Sequence, residues 1–328
     1  MKPKLPFLNP QSPILNPVVP FLNPQSSILN PVEPPCRLVR FPAGDGVELA
    51  GLLFEPRRRT TRVAIFIHGM GGSFEPERSN IFARVFTAAG IAFFPFNNRG
   101  SYLVRRLGGG QAGMAHELIR DCVPDLDGAI RELRRRGYRD ITLIGHSTGA
   151  NKIAVYDSRK RRNFAKRYVL LAGGDDTGLM YGPLGPRRFA KALEKARAMI
   201  HARRGDELVP HSVTHLTMSW RSFYDMCNPN GDYNVFPFLE VLRGIRLSRR
   251  PRFRHVRAIR KPTLVLYGDR DESCYGDVPA CVAALAAAIG PKPNFELAIM
   301  KDADHGFSGR QAEVAEIILR WMEAPPAR

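Results

Sequence analysis

At 328 residues, with 44% of them apolar, the chain is long enough to bury a large core and fits one big α/β domain with room for an insertion. No stretch approaches the ~18 uninterrupted apolar residues of a membrane-spanning helix, which argues against a membrane span. The formal charge is +18, and residues 187–261 hold 17 Lys/Arg against 6 Asp/Glu, but no aromatic platform or nucleic-acid motif is interleaved with them, so nucleic acid is not an expected partner.

The first residues carry prolines at 3, 6 and 10 and lack an apolar signal segment, so no secretory leader is expected. Residues 6–19 (PFLNPQSPILNPVV) recur as 20–33 (PFLNPQSSILNPVE). Proline at this density blocks both helix and sheet ladders, and residues 1–35 are read as a disordered Pro/Asn-rich tail with a tandem 14-residue repeat. Five cysteines (Cys36, Cys122, Cys227, Cys274 and Cys281) show no metal-ligand spacing and predict reduced thiols in a cytoplasmic protein.

From residue 36 the texture changes. Alternating stretches at 37–41 and 47–54, separated by Gly44-Asp45-Gly46, predict an antiparallel hairpin. The continuous apolar run 62–67 (RVAIFI) predicts a strand buried on both faces. A helix over 77–89, a strand over 91–96 and an amphipathic helix over 116–136 follow. Next come a strand over 141–144, a helix to about residue 157 and a strand over 168–172. The last unit reads as a strand over 263–267, a helix over 279–289, a strand over 295–300 and a helix over 311–322. This alternation predicts a mainly parallel sheet with helices on both faces. Between residues 172 and 263 lie about 90 residues without strand signals, too many for a plain loop. Helical patterns at 187–203 and 213–226 mark residues 174–261 as a helical cap insertion. It divides a core of 36–173 from its second part, 262–328.

The chemistry gathers at predicted strand ends. Gly145-His146-Ser147-Thr148-Gly149 follows the strand 141–144, placing a serine on a sharp strand-to-helix turn beside backbone N–H groups. A serine needs a base, the base needs an orienting acid, and the intermediate needs oxyanion donors. Gly268-Asp269-Arg270-Asp271 follows one later strand, and Asp302-Ala303-Asp304-His305-Gly306 follows the next, supplying a carboxylate and an imidazole. Asp269, Asp175 and Asp176 also stand after strand ends and remain alternatives to Asp271 as the acid. Upstream, His68-Gly69-Met70-Gly71-Gly72 lets backbone approach an oxygen, with the Met70 and Thr148 N–H groups as the expected donors. His146 is read as packed beneath the turn and His68 as shaping the glycine loop.

With HGMGG, GHSTG, GDRD and DADHGF in this order, residues 38–325 resemble the α/β-hydrolase superfamily. The resemblance implies an α/β-hydrolase fold, Ser147 as nucleophile, His305 as base and Asp271 as acid, because the family tends to show G-x-x-D after that strand. A looser similarity, through GHSTGANK and SWRSFYDM, is to a subgroup that includes fungal siderophore esterases. Asn97-Asn98-Arg99-Gly100 departs from the family pattern, in which an Asp often precedes Arg-Gly. The expected activity is cleavage of a carboxylic ester, or a related thioester or amide, in a small-molecule acyl substrate, without metal or organic cofactor. A non-enzymatic binding or scaffold protein of the same fold is the alternative.

Two further patterns are set aside. Gly108, Gly110 and Gly113 match G-x-G-x-x-G but lie too far beyond the preceding strand for a dinucleotide site. Asp302, Asp304 and His305 have no second histidine at helical spacing to complete a metal site.

Overall fold

The computed structural model describes residues 34–75 and 77–324, so the proline-rich repeat lies outside the described residues. Eight strands form one sheet in the order β1-β2-β4-β3-β7-β8-β9-β10. They are β1 (Cys36–Pro42), β2 (Glu48–Phe54), β3 (Arg62–Ile67), β4 (Ala92–Asn97), β7 (Asp140–His146), β8 (Ala165–Leu171), β9 (Thr263–Gly268) and β10 (Phe295–Met300). β1 and β2 form the expected antiparallel hairpin, β2 joins β4 antiparallel, and the remaining pairs are parallel. β4 is buried throughout and contains Pro95, which has no N–H to give a ladder; its pairing with β2 lapses opposite that residue and resumes at Phe54–Phe93.

Helices α1 (Glu77–Ala88), α2 (Cys122–Arg135), α3 (Thr148–Arg159), α8 (Val278–Ile289) and α9 (Gln311–Glu323) connect and flank the strands. Between β8 and β9 come α4 (Asp176–His201), α5 (Trp220–Cys227), α6 (Phe238–Leu242) and α7 (Arg254–Ala258). The last of these packs against α3 and α8. Among the described residues no helix is long and apolar enough to cross a membrane.

Three elements differ from their predicted extents. The helix expected over 116–136 begins only at Cys122. The Leu118 N–H is taken by the Asp121 carboxylate and the Ile119 N–H by Asp225, while Pro124 sits in the first turn, where a missing N–H costs nothing. α4 starts eleven residues before the expected 187 and kinks at Gly185 (φ 67°, ψ 170°), between Pro183 and Pro186. α5 starts at Trp220 rather than 213, because the Ser219 hydroxyl caps it by accepting from the Ser222 N–H at 3.1 Å. A short hairpin, β5 (Arg105–Leu107) and β6 (Gly110–Ala112), was not expected. Its turn uses Gly108 and Gly109, both with positive φ (56° and 81°), so the first glycine of the G-x-G-x-x-G match serves a two-residue reversal and Gly110 lies in β6.

Candidate active site

The parallel strands all present their C-terminal ends on one edge, and the serine turn stands there. Ser147 is the single residue between β7 and α3, at φ 56° and ψ −130°. A non-glycine residue in that region carries roughly 1–3 kcal/mol of strain, so its surroundings must hold it. Its N–H donates to the Leu171 carbonyl at 2.9 Å and its carbonyl accepts from the Ala150 N–H at 2.8 Å. The flanking glycines are required by close approach: a Cβ on Gly145 would lie 2.3 Å from the Gly149 carbonyl oxygen, and one on Gly149 would lie 2.2 Å from that of Ile67.

The loops after β9 and β10 bring two more groups to this point. His305 Nε2 lies 2.9 Å from Ser147 Oγ, and His305 Nδ1 lies 2.9 Å from Asp271 Oδ1. A carboxylate only accepts, so Nδ1 carries the hydrogen and Nε2 offers its lone pair to the serine hydroxyl. Asp271 is buried, and its Oδ1 also accepts from the Ser273 N–H at 2.9 Å, which fixes the carboxylate. Burial alone would lower the His305 pKa. The Asp271 hydrogen bond and charge, with Glu272 and Asp176 nearby, outweigh it and raise the value above 6.5.

The other carboxylates are engaged elsewhere. Asp269 accepts from the Ala303 N–H at 3.2 Å. Asp175 accepts from the Gly178 and Leu239 N–H groups, each at 2.8 Å, and from the Tyr275 hydroxyl at 3.0 Å, tying α4 to α6. Asp176 accepts from Asn151 Nδ2 at 3.0 Å and Thr148 Oγ1 at 3.3 Å. Burial, reinforced by the Asp175 charge, pushes its pKa up to about 7.

The glycine loop after β3 closes over the serine: a Cβ on Gly69 would be 2.9 Å from Ser147 Cβ. His68 Nδ1 donates to the Gly69 carbonyl at 2.8 Å, and burial, with the Lys152 charge, lowers its pKa to about 3, keeping it neutral. Among the described residues neither the Met70 N–H nor the Thr148 N–H has a hydrogen-bond partner. Both donors stand free to receive an anionic oxygen.

Residues 64–317 match the alpha/beta hydrolase family model. The chain belongs to that family. No curated protein matches its sequence. Among solved structures, this hydrolase is similar to the Pyrococcus furiosus esterase Pf2001, at 17% identity and a TM-score of 0.56 over 88% of this chain and 91% of that one. It is similar to Est1E of Butyrivibrio proteoclasticus, solved with ferulic acid bound, at 17% identity and a TM-score of 0.53 over 87% and 98%. The Xanthomonas campestris serine hydrolase XC6422, described as lacking a lid, shares 15% identity and a TM-score of 0.52 over 89% and 97%. At these identities the likeness is one of fold.

One part of this α/β-hydrolase's site escaped the sequence reading. Lys152, on α3, is fully buried and pairs with Glu117 Oε1 at 2.6 Å, while its Nζ also reaches Asn98 Oδ1 at 3.2 Å. Glu117 lies over Gly100, where a Cβ would fall 2.0 Å from a carboxylate oxygen. The Asn97–Gly100 loop that departs from the family pattern thus helps to seat a buried ion pair. Arg99, in the same loop, binds Asp125 through its backbone N–H and its guanidinium at 2.7–2.9 Å. The sequence signal for the pair was a lysine directly before the apolar run Ile153-Ala154-Val155, and the structure buries all of the first ten residues of that helix.

Proposed function

We propose that the chain is a serine hydrolase that cleaves a carboxylic ester, or a related thioester or amide, through an acyl-enzyme intermediate. The observation that carries this reading is the unbroken relay from Ser147 Oγ through the His305 ring to Asp271, with 2.9 Å at each step. His305 takes the Ser147 proton as the hydroxyl attacks the substrate carbonyl. The Met70 and Thr148 N–H groups hold the negative oxygen that develops. Asp271 keeps the imidazole in the productive tautomer and stabilises its protonated form. His305 then returns the proton to the leaving group and activates the water that frees the acid. Each of these steps is served by a side chain or N–H group of this chain, with a small-molecule acyl compound as substrate.

Residues 174–261 act in this proposal as a cap over the site. Its support is that α4 starts at Asp176, in contact with Thr148 and Asn151, and that a cavity of about 210 Å3 opens between α4 and residues 211–215. A cytoplasmic location is part of the proposal and is supported by five cysteines that are all free thiols.

A fluorophosphonate probe, which reacts with activated serines, tests the reading. Labelling is expected at Ser147 and absent in Ser147→Ala. A panel of ester, thioester and peptide substrates then orders the acyl groups. Failure of the probe to label the folded protein overturns the hydrolase reading and favours a scaffold.

A further inference from the structure

A second concavity lies at the opposite edge of the sheet from Ser147. It has a volume of about 470 Å3 and is lined by one face of α2, by Arg139 immediately before β7, and by residues 160–164 leading from α3 into β8. Six cationic side chains surround it: Arg131, Arg134, Arg135, Arg139, Lys160 and Arg162. The one carboxylate in the lining, Asp127, is already engaged on both oxygens, by the Tyr156 hydroxyl at 2.8 Å and Lys160 Nζ at 2.6 Å.

The cations fall into two groups. Arg135 is paired with Glu132, Arg139 donates to the carbonyls of Arg134 and Tyr138 at 2.6 and 3.0 Å, and Arg131 donates to that of Ala43 at 3.2 Å. Arg134 and Arg162 have no carboxylate partner among the described residues. The Arg134 guanidinium instead lies on the ring of Phe164, 3.5 Å from its centroid. Stacking holds the plane by its face and leaves the N–H edge free, the geometry that grips an oxyanion through two parallel hydrogen bonds. Phe164 is 56% exposed, and this contact gives a surface phenyl ring a use.

We propose that this groove binds a small molecule bearing a phosphate monoester or diphosphate, with Arg134 and Arg162 as its main contacts. A ligand with two or more negative charges fits this density of positive charge; a single carboxylate would leave most of it uncompensated. The volume lies within the roughly 300–1,000 Å3 common for small-molecule sites. The inference is independent of the chemistry at Ser147, which stands at the other edge of the sheet.

Calorimetric titration of the full chain with inorganic pyrophosphate, at low and at physiological salt, tests it. Saturable binding is expected, weaker at the higher salt. Arg134→Glu/Arg162→Glu should weaken it by about tenfold or more while probe labelling at Ser147 is unchanged. Arg162→Glu alone, on an exposed loop, serves if the double variant fails to fold. Sedimentation with phosphatidic acid vesicles distinguishes sources: retention lost in the variants places the phosphate on a lipid headgroup, and binding of free pyrophosphate alone places it in solution, either outcome supporting the site. No binding of pyrophosphate or vesicles at low salt, or binding indifferent to the substitutions, overturns the proposal. So does DNA binding that strengthens with length and displaces pyrophosphate.

Discussion

His146 holds the backbone of His305: its Nε2 lies 2.7 Å from the His305 carbonyl oxygen. A carbonyl only accepts, so Nε2 carries the hydrogen and donates. Burial, with the nearby Arg78 charge, keeps the His146 pKa well below the usual histidine value, so the ring is neutral. Arg78 donates to the next carbonyl, that of Gly306, at 2.5 Å. Two adjacent carbonyls of the loop bearing His305 are therefore pinned, one of them by the residue preceding Ser147. His146→Leu should lower kcat by about tenfold to a hundredfold with KM little changed, as expected for a misplaced base. His146→Gln, which keeps an N–H donor, should recover part of the loss. Steady-state kinetics on the best ester decides; equal losses in both variants would show that the donor is not what matters.

In the proposed mechanism the raised pKa of His305 sets the acid limb of the pH profile. His305 works as a base only when neutral, so kcat/KM should fall as pH drops through a value above 6.5. Asp271→Asn removes the hydrogen bond and charge that raise it, so the limb should move to lower pH. The same change should cut kcat by roughly 10³–10⁴-fold by favouring the wrong tautomer. A pH–rate series on both proteins gives the answer, and a wild-type limb at or below 6.5 counts against the assignment.

Asp176 gives a prediction about stability. Its pKa rises from 3.8 to about 7 on folding, so the folded state favours the protonated form. Its favourable share of stability is present below pH 3.8 and is lost as pH rises through about 7. Asp176→Asn removes the buried charge while keeping an oxygen for Thr148 and Asn151. The variant should therefore gain stability relative to wild type on going from acidic to mildly alkaline pH, by on the order of 4 kcal/mol across the whole window. Denaturant melts from about pH 4 to about pH 8 measure this, and a pH-independent difference would refute it.

The buried pair Lys152–Glu117 should be strongly coupled. Lys152→Met leaves the buried Glu117 carboxyl beside Gly100 without its partner, at a cost of about 3–5 kcal/mol. Lys152→Met/Glu117→Gln should cost less than the single change, because no isolated charge remains. Urea unfolding of the single and double variants closes the cycle; additive effects would show the pair to be uncoupled.

The sheet was legible where side chains meet a simple pattern. RVAIFI and ITLI are unbroken apolar runs, as strands covered on both faces must be, and both became central strands. The spacing of glycines around Ser147 was legible because backbone crossing there tolerates no Cβ. The first half of α4 was not, since Gly182, Pro183, Gly185 and Pro186 are residues that ordinarily end helices; here they bend one. The start of α2 depended on Asp225, about a hundred residues away, taking the Ile119 N–H. The partner of Lys152 was hidden in the same way, being 35 residues distant at the start of a segment read as an amphipathic helix. Periodicity reports which face is covered, but not which distant group covers it.

The stretch between β8 and β9 leaves the sheet where one strand finishes and must come back to where its parallel neighbour starts, with Tyr168 level with Thr263. α7, laid along α3 and α8, occupies the return leg of that journey. Engineers trimming or swapping this stretch therefore have unequal freedom along it. Exchange of α4 and α5 has to keep Asp176 and Asp225, which hold Asn151 and the Ile119 N–H, whereas excision that reaches residues 254–258 removes the span that carries the polypeptide back across the sheet, and β9, which leads to Asp271, loses its way into place.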